Sequence, residues 1–385
     1  MSSNLCSRCI YDANTPGIVF DVEGVCTFCH LSEQLEREYQ TATAAGESRF
    51  QELVQKIKRA GRGRKYDCIV GVSGGTDSSF LVAKAVEFGL RPLAVHYDNT
   101  WNSAIATENI RKVLGKLKVD LWTYVVDNRE MDDIFLSFLK ASVPELDGST
   151  DIALAETLYR AAARFGVGTI LEGHSFRTEG VSPLGLCYVD GRYIASVHKQ
   201  FGRLSMRTFP NMTLWRFLKW SLLYRIQRIR PFWYLDYTKE EAREYLSQEF
   251  GWQYYGGHHL ENRMTAFHHS YYLPNKFGVD QRNNSLSASV RSGKLERAQA
   301  LLEYARPPHL EDDLTGYVLK RLGLSSAEFQ EYLNRAPRSY RDYPTYKGTF
   351  EKMAPLFAWM VRGHLVPKSF YVKYCLPDVK CSSPV

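Results

Sequence analysis

Apolar positions along this chain follow three different rules. From Leu31 to Ala60, in LSEQLEREYQ and then FQELVQKIKRA, they recur at helical spacing in a charged background, the pattern of surface helices with one buried stripe. From Lys65 short apolar runs alternate with longer amphipathic stretches. Asp67–Val72 predicts a strand that ends in a glycine-serine turn, with a helix beginning near Asp77. Arg91–Tyr97 predicts a second strand, Asn102–Lys118 a helix, and Val119–Val126 a third strand. Met131–Ala141 and Asp151–Phe165 predict helices, and Gly168–Leu171 a fourth strand. Such alternation predicts an α/β fold, a doubly wound parallel sheet, whose ligands bind beyond the carboxyl ends of the strands. From Ser289 onward the pattern is helical again, in SVRSGKLERAQALLEY, DDLTGYVLKRLGL and SAEFQEYL, with no repeat and no low-complexity tail. Three regions result: 1–60, 61–247 and a mainly helical 248–385.

At 385 residues and 44% hydrophobic content the chain has room for two or three domains. A formal charge of +7 suits anionic partners such as nucleotides or nucleic acid without choosing between them. MSSNLCSRCI turns polar at once, unlike a signal peptide, and no apolar run reaches spanning length. A cytoplasmic protein without a membrane span is therefore expected, and its eight cysteines are expected as metal ligands or free thiols rather than disulfides. Cys6-x-x-Cys9 and Cys26-x-x-Cys29, sixteen residues apart, have the spacing of a structural four-thiolate Zn²⁺ site. The intervening TPGIVFDVEGVC predicts a hairpin too thin to fold without metal. Four unrelated thiols, or a redox pair, fit that spacing less well. His30 would be a fifth ligand and is left out. Cys187, in LGLCYVDGRY, is expected to fill core space rather than react, and Cys375 and Cys381 have no partner pair.

The stretch Val72-Ser73-Gly74-Gly75-Thr76-Asp77-Ser78 joins strand to helix as a phosphate cradle. Turn N–H groups, the helix dipole and the hydroxyls of Ser73, Thr76 and Ser78 all favour an anion. No lysine follows as in a Walker A loop, and the glycines do not fit G-x-G-x-x-G. Asp98, Gly173 and His174 leave other strand ends: Asp98 contacts a ribose or bound cation, or serves its own turn, and His174 is catalytic or structural. Thr238 with Glu241 predicts a capped helix ended by Gly251. Lys239 then lies in a first helical turn, where the dipole disfavours its charge, either near phosphate or at the surface. Arg203–Arg230 mixes six arginines and one lysine with Trp and Leu. It suits nucleic acid or a membrane surface, and a buried helix with snorkelling basic ends is the simpler reading. The paired histidines near 258 and 268 show no metal spacing.

Ser73–Ser78 resembles the SGGxDS loop of the PP-loop ATP pyrophosphatases, which cleave ATP between its α and β phosphates. Around Pro231 and Lys239 the chain looks like the Pro-Leu…Lys-Glu segment of that group, with Phe232 in place of leucine. Nearly end to end the chain resembles the N-acetyl sugar amidotransferases of bacterial surface-glycan biosynthesis. The residues that carry this are the cysteine pairs with DVEGVC, SGGTDSS, DNTWNS at 98–103, YGGHHLE at 255–261, LPNKFGVDQR at 273–282 and SGKLERAQAL at 292–301. Two positions depart from the family, His258 and Gln281, where a lysine is common. The resemblance implies ATP and Mg²⁺ over residues 72–78, with Asp77 helping to hold the metal. It implies a zinc module at 1–60, a pyrophosphatase domain at 61–247 and a substrate or partner region at 248–385. Asp77, Lys239 and Glu261 become catalytic candidates, and His259, Lys276, Asp280 and Arg282 substrate candidates. The implied reaction turns the N-acetyl group of a nucleotide-activated sugar into an acetamidino group, for lipopolysaccharide O-antigen or a similar surface polysaccharide. Ammonia would come from a separate glutaminase with a cyclase-like companion, since no cysteine of this chain sits in a glutaminase motif. Nucleic acid is not expected as a partner. The alternatives are a tRNA-modifying, thiolase-like PP-loop enzyme and a non-catalytic ATP-binding protein.

Overall fold

A computed structural model describes residues 5–181, 188–257 and 260–377. Five parallel strands form one sheet: β1 (Cys68–Gly71), β2 (Pro92–Asp98), β3 (Leu121–Val125), β4 (Thr169–Leu171) and β5 (Gln227–Ile229), in the order β3-β2-β1-β4-β5. The registers are parallel throughout, with Val70 beside Ala94 and Leu171, and Thr169 beside Gln227. Helices α1 (Thr27–Tyr39) and α2 (Ala44–Ala60) precede the sheet. Around it run α3 (Thr76–Glu87), α4 (Ala104–Leu117), α5 (Asn128–Ala141), α6 (Gly148–Phe165), α7 (Gly191–Phe201), α8 (Leu214–Leu218) and α9 (Lys239–Phe250).

Alternation along β1 decides which helices lie on which face. Cys68 and Val70 pack with Leu81 and Val82 of α3, Ile110 of α4 and Phe50, Val54 and Ile57 of α2. Ile69 points the other way, to Leu158, Tyr159 and Ala162 of α6. Each of these fully buried aliphatic side chains stabilises the fold by roughly 1.5–3 kcal/mol. The doubly wound parallel sheet expected from the alternation is therefore present.

The region 203–230 is not a buried helix. α8 continues through a π-helical turn at Lys219–Leu223, and the chain then reverses at Arg225, whose φ is 53°. It emerges as β5, which extends the sheet beyond β4. Arg228 and Arg230 alternate along β5 and its exit, and both reach Glu172 at the end of β4. That ion-paired demand, met only by tertiary structure, overrides the local helical pattern.

The C-terminal helices are α10 (Arg263–Phe267), α11 (Leu273–Phe277), α12 (Arg282–Arg291), α13 (Arg297–Tyr304), α14 (Leu314–Leu322), α15 (Ser326–Asn334), α16 (Lys347–Lys352), α17 (Ala354–Arg362) and α18 (Lys368–Phe370). Met264, Phe267, Leu314, Val318 and Phe329 share one core with Trp101, Ile134, Phe135 and Phe138. Among its described residues the cysteine-bearing segment has only isolated antiparallel bridges, Leu5 to Asp12 and Phe20 to Cys26. It docks on α12 and α13: Ile10 packs with Leu286 and Ala300, and Arg297 donates to the Cys6 and Cys9 carbonyls at 2.9 and 3.0 Å. Among the described residues no helix is long and apolar enough to cross a membrane.

Candidate active site

The loop after β1 folds as its residue types require. Ser78 Oγ accepts the Ser73 N–H at 3.2 Å, and Ser73 Oγ accepts the Gly75 N–H at 3.2 Å. Gly74 sits at φ 82°, where a Cβ would come within 2.2 Å of the Ala106 carbonyl oxygen. Its own carbonyl accepts from Trp252 Nε1 at 3.0 Å and Asn109 Nδ2 at 3.3 Å, so Gly74 faces α4 and the protein interior. Gly75 is the N-cap of α3 and brings no capping side chain; the first N–H of the helix, that of Thr76, donates instead to Tyr255 Oη at 3.4 Å.

A cavity of about 540 Å³ opens at the carboxyl ends of β1, β2 and β4. Val72, Ser73, Gly75, Thr76, Asp77 and Ser78 line it, as do Gly173, Lys239 and Glu261. Lys239 Nζ lies 3.3 Å from Asp77 and 3.5 Å from Glu179. Burial lowers the affinity of that amine for its proton, but Asp77 and Glu179 outweigh burial and hold Lys239 cationic. Tyr237 donates its hydroxyl hydrogen to the other oxygen of Asp77. Beside this cluster burial would raise the Glu172 carboxyl, yet Arg228 and Arg230 reverse the effect and hold it at about 2. Burial, aided by Arg230, pushes His174 down to about 3, so its ring is neutral and its Nδ1 accepts from Trp233 Nε1 at 3.2 Å.

Glu261 closes the other side. Buried at 6% exposure, it accepts the Ser73 hydroxyl at 3.0 Å. The neighbouring backbone explains its position: Ser103 N–H donates to the Glu261 carbonyl at 2.9 Å, and Arg263 N–H to the Trp101 carbonyl at 2.9 Å. Asn262 Nδ2 adds a bond to Asn99 Oδ1 at 2.8 Å. Two segments far apart in sequence, 98–103 and 261–263, are thereby zipped together beside the loop.

Other residues singled out in the sequence fall elsewhere. Asp98 accepts from Thr100 N–H at 2.7 Å and Asn102 Nδ2 at 3.1 Å, within its own turn, and is not among the lining residues. Lys276 Nζ donates to the carbonyls of Tyr332, Leu333 and Arg335, each at 2.8 Å, as a cap on the end of α15. Arg282 pairs with Asp280 at 2.6 Å and donates to the carbonyls of Glu303, Tyr304 and Arg306, clasping the end of α13. Gln281, between them, does line the cavity. His259 and Cys187 lie outside the described residues, as does Cys381, while Cys375 is buried.

Sequence reasoning missed the far wall of the cavity, formed by Glu145, Asp147, Asp151, His268, Asn284 and Lys373. Burial pushes Glu145 up to about 7, although it accepts from Tyr193 Oη at 2.9 Å and Tyr188 N–H at 3.1 Å. No local motif announces these residues; the helical spacing of α6, α10 and α12 marks only their apolar neighbours.

The four cysteines do converge. All are buried, their Sγ atoms lie within 4.8 Å of one another, and Cys26–Cys29 and Cys9–Cys26 approach at 3.6 and 3.7 Å. Backbone N–H groups of Arg8, Cys9 and Cys26 point at Cys6 Sγ from 3.3–3.5 Å, and Arg291 Nη1 lies 3.7 Å from Cys9 Sγ. Convergent sulfurs with N–H and guanidinium donors around them suit four thiolates on one tetrahedral ion. His30 turns away to Asp21 at 2.7 Å.

Fold and site thus define a parallel α/β protein with a glycine-serine loop running into a helix N-terminus at the centre of its sheet, a four-cysteine module before it and a helical region folded over it. Residues 261–356 match the family model of the LPS biosynthesis protein WbpG-like C-terminal domain, and Glu261 is the first residue of that match. An uncharacterized protein of Methanocaldococcus jannaschii is 27% identical over 171 residues, which are 44% of this chain and 58% of the relative. The chain thus matches less than two thirds of that relative's length. Among solved structures, the NH3-dependent NAD synthetase of Campylobacter jejuni is 13% identical, covering 76% of this chain and 97% of its own at a TM-score of 0.30. The U34-tRNA thiolase NcsA of Methanococcus maripaludis, with its [4Fe-4S] cluster, is 12% identical over 84% of this chain and 99% of its own, at 0.32.

Proposed function

We propose that this chain is an ATP-dependent amidotransferase of surface-glycan biosynthesis. In this reading it adenylates the acetamido oxygen of a nucleotide-activated N-acetyl sugar and replaces that oxygen with nitrogen from ammonia. The observation that carries the reading is the hydrogen bond from Ser73 to Glu261. It joins the phosphate-type loop to the first residue of the segment that matches an LPS biosynthesis family.

An amide is a poor electrophile until its oxygen becomes a leaving group. Transferring AMP to that oxygen, with loss of pyrophosphate, supplies one, and ammonia then displaces AMP to leave an acetamidino group. The loop N–H groups and the first turn of α3 hold the phosphates. Lys239, kept cationic by its two carboxylates, supplies charge against the departing pyrophosphate. Glu261, buried and accepting from Ser73, would take a proton from the incoming ammonia. The carboxylates of Asp77 and Glu179 are hard oxygen donors of the kind Mg²⁺ takes, and the bound ion would neutralise phosphate charge. The four cysteines would hold a structural Zn²⁺, which supplies fold rather than chemistry. Ammonia from a separate glutaminase, with its cyclase-like companion, completes the scheme.

Pyrophosphate release from ATP is the test. It is expected with ammonia and a UDP- or CMP-linked N-acetyl sugar together, and it should be lost in Asp77→Asn with the thermal melt preserved. Release stimulated by tRNA alone would overturn the reading in favour of a tRNA-modifying enzyme. ATP binding without release under any pairing would leave a binding protein.

A further inference from the structure

The segment Gly191–Leu235 contains nine arginines and lysines and no carboxylate. Its centre is α8 and the π-helical turn that continues it, and the two sides of that element are unlike. The inner side is fixed: Phe217 is buried and stacks on Phe357 at 6.1 Å, and Ser221 is fully buried. The outer side carries Trp215, Lys219, Leu222 and Leu223, spaced i, i+4, i+7 and i+8 on one face. Trp215 is 79% exposed and Leu223 73%, with Leu222 and Tyr224 also exposed. Arg216, Lys219 and Arg225 surround them, all exposed. Arg216 reaches back to Glu156 at 3.2 Å, and Lys219 Nζ lies over the rings of Trp220 and Tyr224 at 5.3 and 5.5 Å.

We propose that this face is a peripheral docking surface for an anionic lipid bilayer. A tryptophan and two leucines held outward by a rigid inner face are costly in water and suited to the headgroup–acyl boundary. Lysine and arginine stems can lie along that apolar surface while their charges reach lipid phosphates. The segment 191–235 itself brings no carboxylate to an anionic surface, and Glu156, the acid that Arg216 reaches, is fully buried. Arg228 and Arg230 are held at the cavity by Glu172 and take no part in this face. The two exposed leucines beside the basic groups favour lipid over nucleic acid, which is gripped by stacking aromatics and phosphate contacts. Recruitment in this way is independent of the reaction at the sheet.

Co-sedimentation with vesicles decides the matter. The full chain should bind phosphatidylcholine–phosphatidylglycerol vesicles roughly tenfold more tightly than phosphatidylcholine alone, and more weakly as salt rises. The double variant Trp215→Ala/Leu223→Ser should lose vesicle binding while keeping its circular dichroism and melt. Lys219→Glu/Arg225→Glu should lose only the preference for anionic lipid. The proposal is overturned if native protein stays in the supernatant, or if neither variant changes partitioning. It is also overturned if RNA binds in preference and is released by the same changes, or if sedimentation velocity shows the first variant turning a dimer into a monomer.

Discussion

At the scale of single residues the loop shows how little freedom the site has. Gly74→Ala forces an L side chain into φ 82° and against the Ala106 carbonyl oxygen at 2.2 Å. Strain and overpacking together should cost about 3 kcal/mol, read as a lower urea midpoint with unchanged slope. The turn itself was legible in the sequence because a strand, a glycine-serine turn and a helix start follow one another in contiguous residues, Cys68–Ser78. Lys276 and Arg282 were legible only as cations. Their targets are carbonyls at the ends of α15 and α13, which no local pattern names. Glu145 was not legible at all, and it yields a prediction of its own. Its carboxyl titrates near 7 in the folded protein against an ordinary 4.5. Between those values the folded state keeps a proton that the unfolded chain gives up. This contribution to stability is therefore whole below pH 4.5 and is lost as pH rises through 7, by roughly 3 kcal/mol. Glu145→Gln cannot titrate, so urea midpoints at pH 5 and pH 7.5 should differ less in the variant than in the native chain.

At the scale of elements, α12 joins two features that the sequence presents as separate. One side of it carries Asn284, which lines the cavity; Leu286 and Arg291 meet the cysteine module. Tyr11, buried between them, donates its hydroxyl hydrogen to Asn284 Oδ1 at 2.7 Å. The two partners stand 273 residues apart, so neither sequence neighbourhood hints at the other. The cysteine spacing announced a metal module, but not that the module backs the cavity wall. Four thiolates around one ion would supply the cross-link that so short a segment needs. Cys29→Ser is therefore expected to lower bound zinc, measured as metal per chain, and to speed amide hydrogen exchange in 282–291. Exchange in β1 and β2, whose cores lie elsewhere, should stay slow. Equal acceleration in both places would mean that the module supports the whole fold instead.

At the scale of the molecule the C-terminal helices share a buried core with α5, which flanks the sheet. The strand–helix alternation made the first four strands legible, whereas β5 was hidden in an arginine-rich segment whose meaning depends on Glu172. The helical pattern after Ser289 was equally plain, yet nothing in it says that those helices close over the carboxyl ends of the strands. The shared core does: Met131, Ile134, Phe135 and Phe138 of α5 pack in one cluster with Met264, Phe267, Leu314 and Phe329. A chain ended after Leu260 would uncover these α5 side chains and Trp101, each worth roughly 1.5–3 kcal/mol when buried. It would also lose Glu261 and the bonds that zip 98–103 to 261–263. Against a typical total stability of about 5–15 kcal/mol that loss is decisive. The shortened chain should therefore show no cooperative thermal transition and should bind a hydrophobic dye, although it retains the loop and every strand. A sharp melt and ordinary ATP binding in that chain would instead show that the sheet folds without its helical cover.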